Sequence, residues 1–114
     1  MVKYIPKQGD IVYLDFNPTK GHEQKGLRPC IVISNNIFNR NTKMVIVCPI
    51  TSNEKEFPTH YLLTKCKKIH GSALCEHIRS IDYEIRNLKF VEKCTDEDFN
   101  NIITLLKACI EDDN

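Results

Sequence analysis

The segment 18–29 holds the residues of this chain that are best suited to chemistry. It places Glu23 and Arg28 on either side of Gly26 and ends at Pro29, ahead of a β-branched run. Because a residue before proline is pushed out of the helical region, we expect Arg28 to project from extended backbone. A carboxylate that accepts a proton, beside a fixed cation, is what phosphodiester cleavage needs. A surface salt bridge would use the same residue types, and the sequence alone leaves both interpretations open.

The patterns on either side of this segment predict strands that would position it. Segments 10–16 and 29–34 are apolar and rich in β-branched residues, and so is segment 44–50, which ends beside Thr51. Neighbouring strands at 29–34 and 44–50 would bring Arg28 and Thr51 within reach of each other. The threonine hydroxyl could then add a neutral hydrogen bond to a phosphate oxygen.

The rest of the chain predicts more short strands and one helix. The strands are expected at 60–64, 72–75, 78–81 and 88–93. After Thr95, which with Asp98 resembles a capping box, an apolar stripe follows helical spacing: Phe99, Ile102, Ile103, Leu106, Cys109 and Ile110. We therefore predict an α+β fold that is mainly β, a small curved antiparallel sheet or SH3-like barrel with a C-terminal amphipathic helix.

Length and charge set limits on the class of protein. The 114 residues suffice for one domain, 1–114, and contain no apolar run long enough to cross a membrane, so we expect a soluble cytoplasmic protein. The net charge is only +1, but residues 1–93 carry 15 basic and 9 acidic side chains, whereas residues 94–114 carry 1 and 6. A basic body of this kind is compatible with phosphate binding.

The six cysteines lack a CxxC pair and are expected to be reduced thiols, mostly buried. One alternative is a zinc site built from Cys66, His70, Cys75 and His77. Their separations do not match a usual zinc-finger spacing, so no metal and no cofactor is predicted.

Several spaced motifs resemble the MazF/PemK family of bacterial toxin endoribonucleases. In chain order they are Gly9-Asp10, Asp15-Phe16-Asn17-Pro18-Thr19-Lys20-Gly21-His22-Glu23-Gln24-Lys25-Gly26-Leu27-Arg28-Pro29, Val47-Cys48-Pro49-Ile50-Thr51-Ser52, Gly71-Ser72-Ala73-Leu74 and Ile78-Arg79-Ser80-Ile81. Because these motifs occur in the family's order over nearly the whole chain, the resemblance is far more specific than a match to any one motif would be.

The resemblance implies the toxin of a type II toxin-antitoxin system, an mRNA interferase. Such an enzyme cleaves single-stranded RNA at specific sequences without metal, gives 2',3'-cyclic phosphate and 5'-hydroxyl ends, and so inhibits translation. It also implies Glu23, Arg28 and Thr51 as catalytic residues, a homodimer, and a MazE-like antitoxin partner. Two alternatives stay open here: a gyrase-poisoning toxin of the same fold, and an RNA-binding relative without turnover.

Candidate RNA contacts surround the catalytic residues. They are Phe16, Asn17, Lys20, His22, Gln24, Lys25, His77 and Arg79. Two of them depart from the family pattern: His22 stands where a small residue such as serine is common, and His77 where glutamine is common. Cleavage also needs an acid that protonates the leaving 5'-oxygen, and arginine is a poor proton donor. His22 is therefore a candidate for this acid or for a phosphate contact, or else an exposed loop residue.

Overall fold

The computed structural model describes residues 4–15, 27–53 and 56–112, and within these ranges the chain alternates short strands with two helices. The elements are β1 (Asp10–Asp15), β2 (Leu27–Val32), α1 (Asn36–Thr42), β3 (Met44–Thr51), β4 (His60–Leu62), β5 (Ser72–Leu74), β6 (Arg79–Asp82), β7 (Lys89–Lys93) and α2 (Asp96–Ile110). A single 3-10 turn, Cys75–His77, joins β5 to β6.

The seven described strands form one antiparallel sheet, in which six follow the order β4-β5-β3-β2-β1-β7 and β6 pairs with β3 off this path. Strand β3 is central: one edge pairs with β2, and the other pairs with β6 over its first half and with β5 over its last residues. The sheet is curved and does not close, and a helix follows it at the C-terminus. The predicted fold class, a mainly β curved antiparallel sheet with a C-terminal helix, is therefore confirmed.

Both faces of the sheet carry apolar side chains, because successive residues of a strand point to opposite faces. One face packs against α2 and contributes a cluster of buried residues that includes Ile11, Ile31, Cys48, Ile50, Ile102 and Leu106. The opposite face contributes Val12, Leu14, Cys30, Val32, Val45 and Val47, which cluster with Ile81 and Tyr83. The central strands are thus anchored by apolar side chains on both faces.

Helix α2 begins as the sequence predicts, because the Thr95 hydroxyl accepts a hydrogen bond from the backbone N–H of Asp98. The Asp98 carboxylate, however, does not complete a capping box. It instead accepts four hydrogen bonds, one from Tyr61 in β4 and three from Thr64 and Lys65 in the segment after β4. The predicted apolar stripe buries Ile102 and Leu106, whereas Cys109 and Ile110 are exposed at the end of the helix.

The predicted strands occur within two residues of their expected bounds. The segment after β2 forms the seven-residue helix α1. Asn35 caps α1, because its side chain accepts a hydrogen bond from the backbone N–H of Phe38. Asparagine is typical of turns as well as of helix caps. Among the described helices, none has the length and apolar character needed to span a membrane.

Candidate active site

The pairing of β2 with β3 brings Arg28 and Thr51 to the same end of the sheet. Cys30 lies opposite Pro49, and Arg28 and Thr51 each lie two residues beyond this pair on their own strands. Alternation puts both side chains on the face that carries Cys30 and Val47, beyond the end of its apolar cluster. Arg28 is exposed and Thr51 is half-buried, so both can meet a ligand.

These two residues line one groove of about 350 Å³ together with two of the predicted RNA contacts. Its lining residues are Arg28, Pro49, Ile50, Thr51, Leu74, His77 and Arg79. Arg28 enters from β2, and His77 and Arg79 come from the opposite edge of β3, where Arg79 pairs with Val47. Four of the predicted site residues, distant in sequence, therefore meet where β2, β3 and the β5–β6 turn come together.

Basic side chains predominate among the charged residues of the groove. Two arginines and a histidine line it, and no carboxylate belongs to its lining within the described ranges. A phosphodiester is an anion with planar pairs of oxygens that the arginine fork can bind.

The Thr51 hydroxyl is held in a defined orientation. The backbone N–H of Asn53 donates to Thr51 Oγ1 at 3.1 Å. Because this contact uses an acceptor position of the hydroxyl, its proton can point toward a ligand in the groove. The Thr51 hydroxyl can therefore donate a hydrogen bond to an oxyanion.

Gly71 is a functional residue that the sequence analysis treated only as part of a motif. Its φ is +144°, and a Cβ there would lie 2.2 Å from the carbonyl oxygen of Thr51. Only glycine permits this approach, because it has no Cβ and tolerates positive φ. Gly71 therefore sets how closely β5 packs against the end of β3 that carries Thr51.

Glu76 is a second residue that the sequence analysis missed. Its carboxylate accepts from the Thr59 hydroxyl at 2.5 Å, contacts His60 Nε2 at 2.8 Å and lies 3.8 Å from His77 Nε2. Burial by itself would raise the pKa of Glu76, but the hydrogen bonds from Thr59 and His60 outweigh it and hold the pKa below its usual value. A lone glutamate in a short polar turn gives no sequence signal of this role.

A larger groove, of about 840 Å³, continues on the same side of the sheet. It begins at Ser52, the residue after Thr51, and runs past His60, Leu62 and Ser72, with Leu62 opposite Ser72 in the register of β4 and β5. Phe57 also lines it and packs against the His60 ring at 5.2 Å between centroids. The polar groove around Thr51 thus opens into a longer trough.

Several predicted site residues lie outside the described residues. These are Glu23, the expected base, and the expected RNA contacts Phe16, Asn17, Lys20, His22, Gln24 and Lys25. The placement of these residues stays a prediction.

The alternative zinc site is not assembled as the sequence suggested. Within the described part of the chain, Cys66 groups with Cys94 and Asp98, and not with His70, Cys75 or His77. Burial raises the pKa of the Cys94 thiol to about 12, so it is protonated at neutral pH. Both Asp98 oxygens already accept hydrogen bonds, which makes this cluster a poor metal site.

The fold is that of solved MazF structures. The chain superimposes on the crystal structure of MazF from Deinococcus radiodurans with a TM-score of 0.83 and 30% identity, over 95% of this chain and 98% of that one. It also matches a MazE-MazF complex from the same organism, with a TM-score of 0.82 and 26% identity over 95% and 97%.

The chain belongs to the family described as PemK-like, MazF-like toxin of type II toxin-antitoxin system, whose model matches residues 7–110. It is 37% identical to the endoribonuclease toxin MazF of Escherichia coli K12 over 84 residues, 74% of this chain and 75% of that protein. It is 33% identical to the endoribonuclease toxin ChpB of the same strain, over 92% and 94%. The predicted family is therefore confirmed, and the relatives' names do not support the gyrase-poisoning alternative.

Proposed function

We propose that this chain is a toxin endoribonuclease that cleaves single-stranded RNA, chiefly mRNA, and so blocks translation. The observation that carries the proposal is the groove in which Arg28, Thr51 and Arg79 come together from three strands. Relatives that align over most of the chain are named endoribonucleases, which supports the same activity here.

The proposed reaction uses the nucleophile that RNA itself carries. The 2'-oxygen attacks the adjacent phosphorus, its proton passes to Glu23, and the bond to the 5'-oxygen breaks. Arg28 binds two oxygens of the crowded phosphate as charge develops, and the Thr51 hydroxyl adds a neutral hydrogen bond. The products are a 2',3'-cyclic phosphate and a 5'-hydroxyl, and no step calls for a metal or a cofactor.

Single strands suit this surface better than duplexes do. Unstacked bases expose their edges and faces, and the trough beyond Thr51 offers the rings of Phe57 and His60 beside polar groups. Arg79 and His77 would contact the RNA within the groove. The basic and aromatic residues of segment 16–25 would contact nucleotides on either side of the cut.

The proposed partners follow from the relatives. The matching structures include a MazE-MazF complex, so we propose a MazE-like antitoxin that covers this groove. We further propose that residues 1–114 act as one domain, that two copies form a homodimer, and that the protein works in the cytoplasm.

The test is incubation of a long, weakly structured RNA with purified protein in EDTA, followed by mapping and chemical typing of the new ends. We expect cuts at a short recurring sequence, with cyclic phosphate and 5'-hydroxyl ends. Arg40→Ala, which removes an exposed arginine of α1 outside the groove, is the matched control for Arg28→Ala. Tight RNA binding by folded wild type without cleavage would reject the enzyme and leave a binding protein.

A further inference from the structure

The proposed reaction lacks a proton donor for the leaving 5'-oxygen. Arg28 is a poor candidate, because a guanidinium keeps its proton well above neutral pH. The Thr51 hydroxyl is a weaker acid still. An alkoxide is an unfavourable leaving group, so a group that titrates near neutral pH would accelerate the departure step.

His77 is the imidazole that lines the groove within the described ranges. It ends the 3-10 turn before β6, two residues ahead of Arg79, and lines the groove together with Pro49. Its side chain is 63% exposed, so a bound phosphodiester could reach it.

Glu76 fixes the turn and sets the charge beside His77. Its carboxylate is held by Thr59 and His60 at the start of β4, and the same oxygen that contacts His60 lies 3.8 Å from His77 Nε2. Within the described ranges, the charged side chains beside His77 are Glu76 on its own turn, and Arg28 on β2 and Arg79 on β6, which line the same groove.

We propose that His77 is the general acid of the reaction and that Glu76 is its positioning residue, an inference that rests on the proposed ribonuclease function. As the bond between phosphorus and the 5'-oxygen breaks, the imidazolium of His77 gives its proton to that oxygen and becomes neutral. The 5'-hydroxyl leaves with this proton, while Glu23 holds the proton taken from the 2'-hydroxyl. Exchange with water returns both residues to their starting states.

The sharpest test uses a substrate whose leaving group needs no acid. An RNA with sulfur in place of the 5'-bridging oxygen at the cut site releases a thiolate, which departs unprotonated. We expect His77→Gln to slow single-turnover cleavage of ordinary RNA about 100-fold or more, the usual scale for a lost general acid. On the sulfur-containing RNA the variant should cleave close to the wild-type rate.

His70→Gln is the matched control, because His70 is an exposed histidine on the segment before β5 and does not line the groove. It should leave both rates unchanged. His22→Gln is measured in parallel, since His22 is the other candidate acid. The proposal would be overturned if the sulfur-containing RNA restored the cleavage rate of His22→Gln and did not restore that of His77→Gln.

The pH profile gives an independent readout. A general acid gives the rate profile an alkaline limb, so wild type should show this limb and His77→Gln should not. Glu76→Gln should slow the cleavage of ordinary RNA and leave the sulfur-containing RNA close to the wild-type rate, an effect that a merely structural role would not produce.

The possible failures are distinguishable. Folded wild type that cleaves no RNA would reject the ribonuclease proposal itself. Wild type that cleaves while His77→Gln matches it in rate and pH profile would reject only the role of His77. Equal slowing of His77→Gln on the oxygen and sulfur substrates would also reject that role, and would assign His77 to binding instead.

Discussion

Two polar clusters of this protein differ in their burial and in the residues that surround their charged groups. Asp98 is fully buried, and its carboxylate accepts from the Tyr61 hydroxyl at 2.7 Å, from the Thr64 hydroxyl at 3.1 Å and from the N–H groups of Thr64 and Lys65 at 3.3 and 3.0 Å. The groove at the end of β3 instead gathers Arg28 and Arg79, with no carboxylate in its described lining.

The difference separates a structural cluster from a functional one. A buried charge is tolerated when every oxygen has a donor, and the Asp98 cluster then ties the start of α2 to the segment after β4. Arginines at an exposed groove add little to the stability of a fold, whereas their guanidinium groups can bind an anionic ligand. Substitutions in the two clusters should therefore affect different measurements.

The largest expected effect is on catalysis, from Arg28→Ala. Loss of the cation that meets the developing phosphate charge should lower the single-turnover cleavage rate by about two to four orders of magnitude. The melting temperature should change little, because Arg28 is exposed. An unfolded Arg28→Ala protein would instead indicate the structural salt bridge that the sequence left open.

Substitution of Asp98 should have the converse effect. Asp98→Ala leaves four donors without their acceptor, and we expect a loss of about 3 kcal/mol or more in the free energy of unfolding, measured with urea. The folded fraction should cleave RNA as wild type does. Asp96→Ala, at an exposed position in the same first helical turn, is the control and should cost well under half as much.

The same cluster predicts acid sensitivity. Burial alone would raise the pKa of Asp98, but the hydrogen bonds from Tyr61, Lys65 and Thr64 outweigh it and lower the pKa below its usual value. Because the folded-state pKa is depressed, the stabilisation is present above the unfolded value of about 4 and is lost as pH falls through the folded pKa. Urea unfolding across this range should show a shallower decline in Asp98→Asn than in wild type.

The smallest effect is expected from Thr51→Val, which keeps the shape of the side chain and removes its donor. A neutral hydrogen bond contributes about 1 kcal/mol, so the cleavage rate should fall by roughly fivefold to tenfold. Thr51→Ser keeps the hydroxyl and serves as the control. Equal rates for Val and Ser at this position would remove Thr51 from the catalytic set.

The sequence predicted the fold well, because strand alternation and the Thr95 cap are local signals. It also predicted that Arg28 and Thr51 would meet, since this needs only two adjacent strands. It could not predict the role of Glu76, because that role depends on contacts with Thr59 and His60 across two strands. Likewise, the motif around Gly71 does not show why a glycine is needed there. The reason is the close approach of Gly71 to the carbonyl oxygen of Thr51.

The most direct test of the central claim is amide chemical-shift mapping with an RNA oligonucleotide that carries the mapped cleavage sequence and a single 2'-deoxy substitution, which prevents attack. We predict shifts for Arg28, Thr51, His77 and Arg79, and none for Thr64, Lys65 and Asp98. Saturable binding that leaves the groove residues unshifted and perturbs the Asp98 cluster would contradict the account.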